Sequence, residues 1–447
     1  MRVAVVGAGP SGIYAAEHLA SQYQAEVDVF DTLPVPFGLV RYGVAPDHFS
    51  IRSVRDKLAQ TFENPLVRFR GNVTIGRDLT TQDLHEHYDA VVYTYGASLD
   101  RELGIPGEDH PMSIAATAFV RWYTGHPDAT DFGEQLARAT EVCVVGLGNV
   151  AIDVTRILIK PASELMQTDI PQHVLDSLAR SSVKKVHVVG RRGPANATFT
   201  TKELKELGEI PGVDVIVNAK DIPSDREFAS GGSKIVARNL DVMSEWAIRN
   251  VSNVSNVSNV SKVSKVSNEK SIEFHFFSAP DALDLDRGIL RVKEMEIDEN
   301  GRLSPTGSVN EIQSDLVVRS IGYRGEALHG LPFDHESNVI PNSDGSITGL
   351  DSSYVAGWIK RGPSGIIGTN KKDAVSCVNL LVHEYKGGQR SSAGNIDQLL
   401  VDRGVRFIDF QGWNRIDARE KELGASRGRE RTSIHEREEL IRIGLGV

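Results

Sequence analysis

At 447 residues, 40% of them hydrophobic and 25% charged, the chain has the composition of a soluble globular protein with room for two or three cores. A formal net charge of -10 speaks against bulk nucleic-acid binding, and no apolar run is long enough to cross a bilayer. The two cysteines, Cys143 and Cys377, make no CxxC pair and no cluster, which removes dithiol-relay chemistry and a resident iron–sulfur centre; no metal centre is expected.

Met1 is followed almost at once by an apolar strand, Arg2–Val6, so no leader is expected. The run Gly7-Ala8-Gly9-Pro10-Ser11-Gly12 then turns the chain into a helical pattern over residues 13–22. An alternating second strand over 25–31 ends in Asp31. Strand, glycine turn, helix and strand with a terminal acid form a dinucleotide-binding unit. Gly7 makes the turn, Gly9 lets a pyrophosphate approach the backbone, Gly12 lets helix and strand pack, and Asp31 stands where a ribose hydroxyl would be met. Residues 32–48, rich in Pro and Gly, read as a loop shaped around a ligand, and 88–95 read as a third buried strand. The Gly-Ile-Pro-Gly-Glu run at 104–108 marks a domain crossing.

A second fingerprint begins at Glu141, with Gly146-Leu147-Gly148-Asn149-Val150-Ala151 at its turn. A polar helical stretch around 170–180 precedes its next strand, 185–190, which ends in Arg191 and Arg192 rather than in an acid. A carboxylate there would hold the 2′-hydroxyl of NAD and repel a 2′-phosphate. Guanidinium groups bind phosphate through forked, charge-assisted hydrogen bonds, so the second site favours NADP. Glu203 stands where it could orient the arginines or touch the adenosine ribose. The Val-Ser-Asn repeat over 251–268 reads as a flexible or weakly β surface insertion. A last strand, 353–358, leads into Gly362-Pro363-Ser364-Gly365-Ile366-Ile367 and a helix over 371–384. The N–H groups of Gly365, Ile366 and Ile367 at that helix start suit negative charge developing on a reduced flavin ring. The charged tail past Val405 reads as a surface wrapping with no chemical role.

Several runs together resemble the adrenodoxin reductase family, the glutathione-reductase-like class of ferredoxin–NADP+ reductases. They are PVPFGLVRYGVAPDH at 34–48, GNVAIDV at 148–154, VGRRGP at 189–194, FTTKEL at 199–204, SIGY at 320–323 and GWIKRGPSG at 357–365. They occur in the family's order across nearly the whole chain. The resemblance implies an α/β fold of two Rossmann-like dinucleotide-binding domains. Residues 1–106 and 323–447 would form a discontinuous FAD domain, with an NADP domain at 107–322 inserted. Carried over by position, FAD contacts fall on Ser11, Asp31, Leu39, Ile75, Trp358, Gly365, Ile366 and Ile367. NADP contacts fall on Leu147, Gly148, Asn149, Val150, Arg191, Arg192, Glu203 and Gly365. The family usually has Glu where this chain has the shorter Asp31.

The implied activity is transfer of hydride from NADPH to FAD and of single electrons onward to a small acidic ferredoxin. His48 and Asp153 are the positions for proton handling; otherwise His48 is a packed loop residue and Asp153 a helix-start anchor. Docking of an acidic partner points to Lys202, Lys205, Lys234 and Arg238. A monomer in the reducing cytoplasm is expected. Two other functions share the double fingerprint. One is an NADPH-dependent flavin monooxygenase; the other is a non-enzymatic flavin/NADP(H) redox sensor.

Overall fold

Two parallel sheets organise the computed structural model, which describes residues 1–225, 229–255, 268–298, 301–365, 367–387 and 394–447. The first sheet runs in the order Val67–Gly71, Glu26–Asp31, Arg2–Val6, Ala90–Tyr93, Ser353–Val355, then the antiparallel Ser346–Ile347 and Asn342–Ser343. Val3 pairs with Val27 on one side and with Ala90 on the other. The strand expected to alternate over 25–31 instead buries Val27, Asp28, Val29 and Phe30 in succession. Its two faces feed separate cores: Val27 and Val29 pack under the helix Pro10–Tyr23, and Phe30 packs with Val73, Ile75 and Tyr93. A parallel strand covered on both sides has no solvent face. Buried Asp28 is matched by Arg68 Nε at 2.7 Å and the Tyr88 hydroxyl at 2.8 Å.

The second sheet runs Ser113–Ala115, Leu316–Arg319, Glu141–Val145, Lys185–Val189, Lys270–His275, Val213–Ile216, parallel throughout. One face carries the helix Asn149–Ile159. The other is covered by an antiparallel sheet of Ser278–Asp284, Ile289–Ile297 and Leu303–Gln313, whose Leu283, Leu290, Val292 and Ile312 rest on Cys143, Val145, Val189 and Val317. Between the two large sheets the chain crosses twice, and the crossings pair as Leu99–Asp100 against Tyr323–Arg324. Glu108 fixes the first crossing by accepting from the N–H groups of Leu103 and Gly104 at 2.7 and 2.6 Å and from Arg319 at 2.5 Å.

Several expectations change. The loop 32–48 contains a short helix, Leu39–Tyr42. The strand expected over 88–95 is Ala90–Tyr93, and the one over 353–358 is Ser353–Val355, after which Trp358–Arg361 turns as a helix. The helix placed at 371–384 starts earlier, as Ile367–Glu384. The Val-Ser-Asn run begins inside the helix Lys234–Ser255, so its first residues are neither loop nor strand; 256–267 lie outside the described residues.

The tail is no mere wrapping. In the helix Phe410–Ala425, Trp413 and Ile416 enter the first core and Trp413 meets the Phe37 ring at 5.3 Å. Glu420 is fully buried. It accepts from both terminal nitrogens of buried Arg41, at 2.5 and 3.1 Å, from Arg431 at 2.7 Å and from the Ile434 N–H at 2.9 Å. No helix among the described residues is long and apolar enough to cross a membrane.

Candidate functional site

Both glycine turns sit at the carboxyl ends of central parallel strands, where open α/β sheets present their crevice. At the first, Gly7 has φ +108°, and a side chain there would run into the backbone of Thr94 and Tyr95 at 2.8 Å. A Cβ on Gly12 would overlap the Gly7 carbonyl, so helix and strand touch through glycine. A Cβ on Gly9 would meet nothing within 4 Å: it points into an open cradle at the start of the helix Pro10–Tyr23. That start has no side-chain cap, so its amide N–H groups remain for an anion. The cradle is of the kind a pyrophosphate fills.

Asp31 braces this turn. Its Oδ2 accepts from the Ala8 N–H at 2.7 Å and its Oδ1 from the Leu33 N–H at 2.9 Å, while burial pushes its pKa up to about 6. Each oxygen keeps a further lone pair for a ribose hydroxyl. The Phe37 N–H donates to the Ala8 carbonyl at 2.8 Å, which lays the loop before Leu39 across the cradle. Leu39 is exposed and Ile75 buried beside Phe30.

The far end of the chain closes on the same place. Gly357, at φ +78°, sits so near Ser11 that a Cβ would overlap the Ser11 hydroxyl. The Gly357 N–H donates to Asp373 at 2.6 Å, and Lys360 and Arg361 reach the same carboxylate at 2.8 and 3.3 Å. Trp358 is held by its indole N–H on the Ser364 carbonyl, 3.1 Å, with the Tyr323 ring 5.5 Å away. Gly365 is exposed and Ile367 opens the helix Ile367–Glu384; Ile366 lies outside the described residues.

The second turn repeats the design. Gly146 has φ +145° and packs on the Ser320 carbonyl, and the start of the helix Asn149–Ile159 also lacks a side-chain cap. The Leu147 carbonyl accepts from the Thr198 N–H at 2.8 Å and Asn149 Oδ1 from the Thr200 N–H at 2.9 Å, tying 198–200 to the turn. Val150 is half-buried against the second core, and Ala151 is fully buried in it. Arg191 and Arg192 are exposed, with no ion pair among the described residues. Glu203 Oε2 is buried with no hydrogen-bond partner among the described residues, an acceptor aimed at a donor such as a hydroxyl.

Between the two turns lies a network that joins both expected proton-handling residues. His48 Nε2 is 3.7 Å from Asp153 Oδ1 and 3.0 Å from Glu206 Oε2. Arg156 donates to Asp153 at 2.7 Å and Glu206 at 2.9 Å, and lies 3.2 Å from Asp47, which Lys160 meets at 3.1 Å. Glu206, Arg156, Asp47 and Lys160 escaped the sequence reading, although Asp153 and Arg156 share the i, i+3 spacing of one helix face. Burial pushes Asp153 up to about 6 against the pull of Arg156 and His48. An acid whose folded pKa lies above its unfolded value stabilises the fold at low pH. That contribution is lost as pH rises from 3.8 to about 6. Asp153→Asn therefore flattens the decline of the urea midpoint over that window, leaving the share of Asp31; an unchanged slope would refute the burial account.

Both cysteines are buried and free, and burial lifts each thiol to about 12, far from reactive. A family model described as pyridine nucleotide-disulphide oxidoreductase matches residues 1–220. The NADPH-ferredoxin reductase FprA of Mycobacterium leprae is 40% identical over 99% of this chain and 98% of its own. The mitochondrial NADPH:adrenodoxin oxidoreductase of Homo sapiens is 37% identical over 99% of this chain and 91% of its own. The solved structure of Mycobacterium tuberculosis FprA in complex with NADPH shares the fold at a TM-score of 0.91 and 38% identity, covering 100% of this chain and 99% of that one. With near-complete coverage in each direction, the chain belongs to the pyridine nucleotide-disulphide oxidoreductase family, on the branch of the ferredoxin and adrenodoxin reductases.

Proposed function

We propose that this protein is an FAD-dependent NADPH:ferredoxin oxidoreductase. The observation that carries the reading is the pair of uncapped glycine turns on two parallel sheets, the second followed by two exposed arginines with no ion pair among the described residues. In this reading residues 1–106 and 323–447 hold FAD and 107–322 hold NADPH. The first helix start would hold the FAD pyrophosphate and Asp31 its ribose, and the Gly357–Trp358 turn, which packs on Ser11, would line the same site. Arg191 and Arg192 take the 2′-phosphate, and orphaned Glu203 Oε2 takes a hydroxyl of the same nucleotide. Bound FAD supplies the one chemical capacity the side chains lack, accepting electrons as a pair and releasing them singly.

The chain's own residues position and screen. His48 and Asp153 handle protons between the two sites, Glu206 holds the His48 ring, and Arg156 offsets the charge of the two carboxylates. Lys202, Lys205, Lys234 and Arg238 are all exposed, on the helices Thr201–Gly208 and Lys234–Ser255, which pack together. They are the cations these helices would offer an acidic iron–sulfur partner, with Lys202 also lying 3.9 Å from Glu206. A monomer working in the cytoplasm completes the reading.

Purification should yield a yellow protein. Anaerobic NADPH bleaches it, and added ferredoxin passes the electrons to cytochrome c at a rate that falls steeply with salt. No bound flavin, or flavin reduction that never reaches ferredoxin and instead oxygenates a substrate, would overturn the assignment.

A further inference from the structure

On the face of the second sheet that meets the three-stranded sheet, one patch is not apolar. The parallel register sets Cys143, His187 and Glu273 side by side, with His275 two residues beyond Glu273 on its strand. His187 Nδ1 lies 2.8 Å from His275 Nε2 and 3.9 Å from Glu273 Oε2, and His275 Nε2 lies 3.9 Å from Glu273 Oε1. All three donor atoms fall within 4.8 Å of one another. Tetrahedral zinc with bonds near 2.0–2.1 Å needs donors about 3.3 Å apart, and these separations bracket that value.

The other nitrogen of His187, Nε2, is 2.9 Å from Glu141 Oε2. A ligating histidine whose far nitrogen meets a carboxylate is the arrangement that fixes ring orientation at metal centres. His187 is almost fully buried and so cannot turn away, whereas Glu273 and His275 are partly exposed and line a cavity of about 740 Å3 between the two sheets. An ion therefore has a route in, and a fourth position is left on the cavity side.

We propose that His187, Glu273 and His275 bind one divalent transition-metal ion, with Zn2+ the fitting probe, and that Glu141 orients His187 from behind. Two neutral imidazoles and a carboxylate form the mixed N/O set that zinc accepts with one position open. Lys185 Nζ, 2.7 Å from Glu273 Oε2, holds the carboxylate in the metal-free state and must yield it. The site lies just beneath the turn of Arg191 and Arg192: the Gly190 N–H donates to the His275 carbonyl at 2.9 Å, and the Phe277 N–H to the Arg192 carbonyl at 3.2 Å. Metal would tie the strands Lys185–Val189 and Lys270–His275 together at the base of that turn.

The test is isothermal titration of untagged, chelator-treated holoenzyme with Zn2+, alongside thermal unfolding. One equivalent is expected to bind and to raise Tm. His275→Ala and Glu273→Gln weaken binding by at least about 100-fold, and Glu141→Gln by roughly 10- to 100-fold. His173→Ala, a histidine far from the patch, leaves it unchanged. Circular dichroism and flavin content confirm that each variant is folded, and the partly exposed Glu273→Gln carries the test should His275→Ala fail to fold. Absence of stoichiometric binding to the wild type, or binding that survives Glu273→Gln or His275→Ala, would overturn the proposal.

Discussion

The Arg191→Ala/Arg192→Ala variant loses NADPH use, as kcat/KM, by roughly 10- to 100-fold, the worth of about 1.5–3 kcal/mol of charge-assisted hydrogen bonding, while NADH use stays nearly constant. The effect is specific because the backbone of the turn is anchored independently of these side chains. Gly190 packs against Leu147, and backbone hydrogen bonds run from Gly190 to His275 and from Phe277 to Arg192. Both guanidinium groups are exposed, so truncation leaves no cavity and no unpaired buried charge. What changes is the local potential where a 2′-phosphate would sit. The loss is larger at low salt, since exposed charges are screened over about 10 Å at 0.1 M. Steady-state kinetics with both nucleotides at two ionic strengths decide the matter. Equal losses with NADPH and NADH would show that the arginines serve the fold or the shared half of the nucleotide.

What the sequence disclosed follows the range of the interactions concerned. The turns at Gly7 and Gly146 were readable because a positive φ next to an apolar strand is a local demand that glycine alone meets cheaply. Arg191 and Arg192 were readable for the same reason: a strand end fixes where they stand. His48 and Asp153 could be named, but Glu206 could not, because it comes to His48 from 158 residues away. The three-stranded sheet is a different case. Ile289–Ile297 carries its period of two openly, with Leu290 and Val292 buried and Arg291 and Lys293 exposed. Its signal was present in the residues, though its place over the second sheet was not. The strand Glu26–Asp31 reads falsely as half-exposed because Asp28 is polar yet buried; Arg68, Tyr88, Arg2 and Arg70, all outside that strand, make that tolerable. The tail misled most. Its charges look solvated, and nothing local marks Glu420 as the carboxylate that meets Arg41 across 379 positions.

Glu420→Ala accordingly carries the largest expected loss of stability, about 3–5 kcal/mol, the range for breaking a buried ion pair by removing one partner. The carboxylate serves three donors at once, Arg41, Arg431 and the Ile434 N–H. Arg41 is fully buried, with its guanidinium 5.0 Å from the Tyr42 ring and 5.3 Å from the Trp413 ring, and has no water to turn to. Arg431 keeps Asp417, so the stranded charge is chiefly that of Arg41. Replacing both partners, as Arg41→Met/Glu420→Met, recovers part of the loss, because the stranded charge of Arg41 is gone while the buried Ile434 N–H still lacks its acceptor. The pH dependence separates this account from simple cavity formation. Burial works to raise the Glu420 carboxyl, but Arg41, Arg431 and Ile434 hold it below its ordinary 4.5. A depressed carboxyl stabilises the fold above its unfolded pKa and loses that contribution as pH falls through the folded one. The gap between wild type and Glu420→Ala is therefore full at pH 7 and narrows below pH 4.5, whereas a cavity alone would give a gap independent of pH. Arg41 also belongs to the helix Leu39–Tyr42, whose preceding residue, Gly38, lies so close to Gly9 that a Cβ would stand 2.9 Å from its Cα. Loosening Arg41 thus loosens the lid of the first cradle. Urea unfolding followed by both circular dichroism and flavin fluorescence should show flavin leaving Glu420→Ala ahead of the global transition, and leaving the double variant with it.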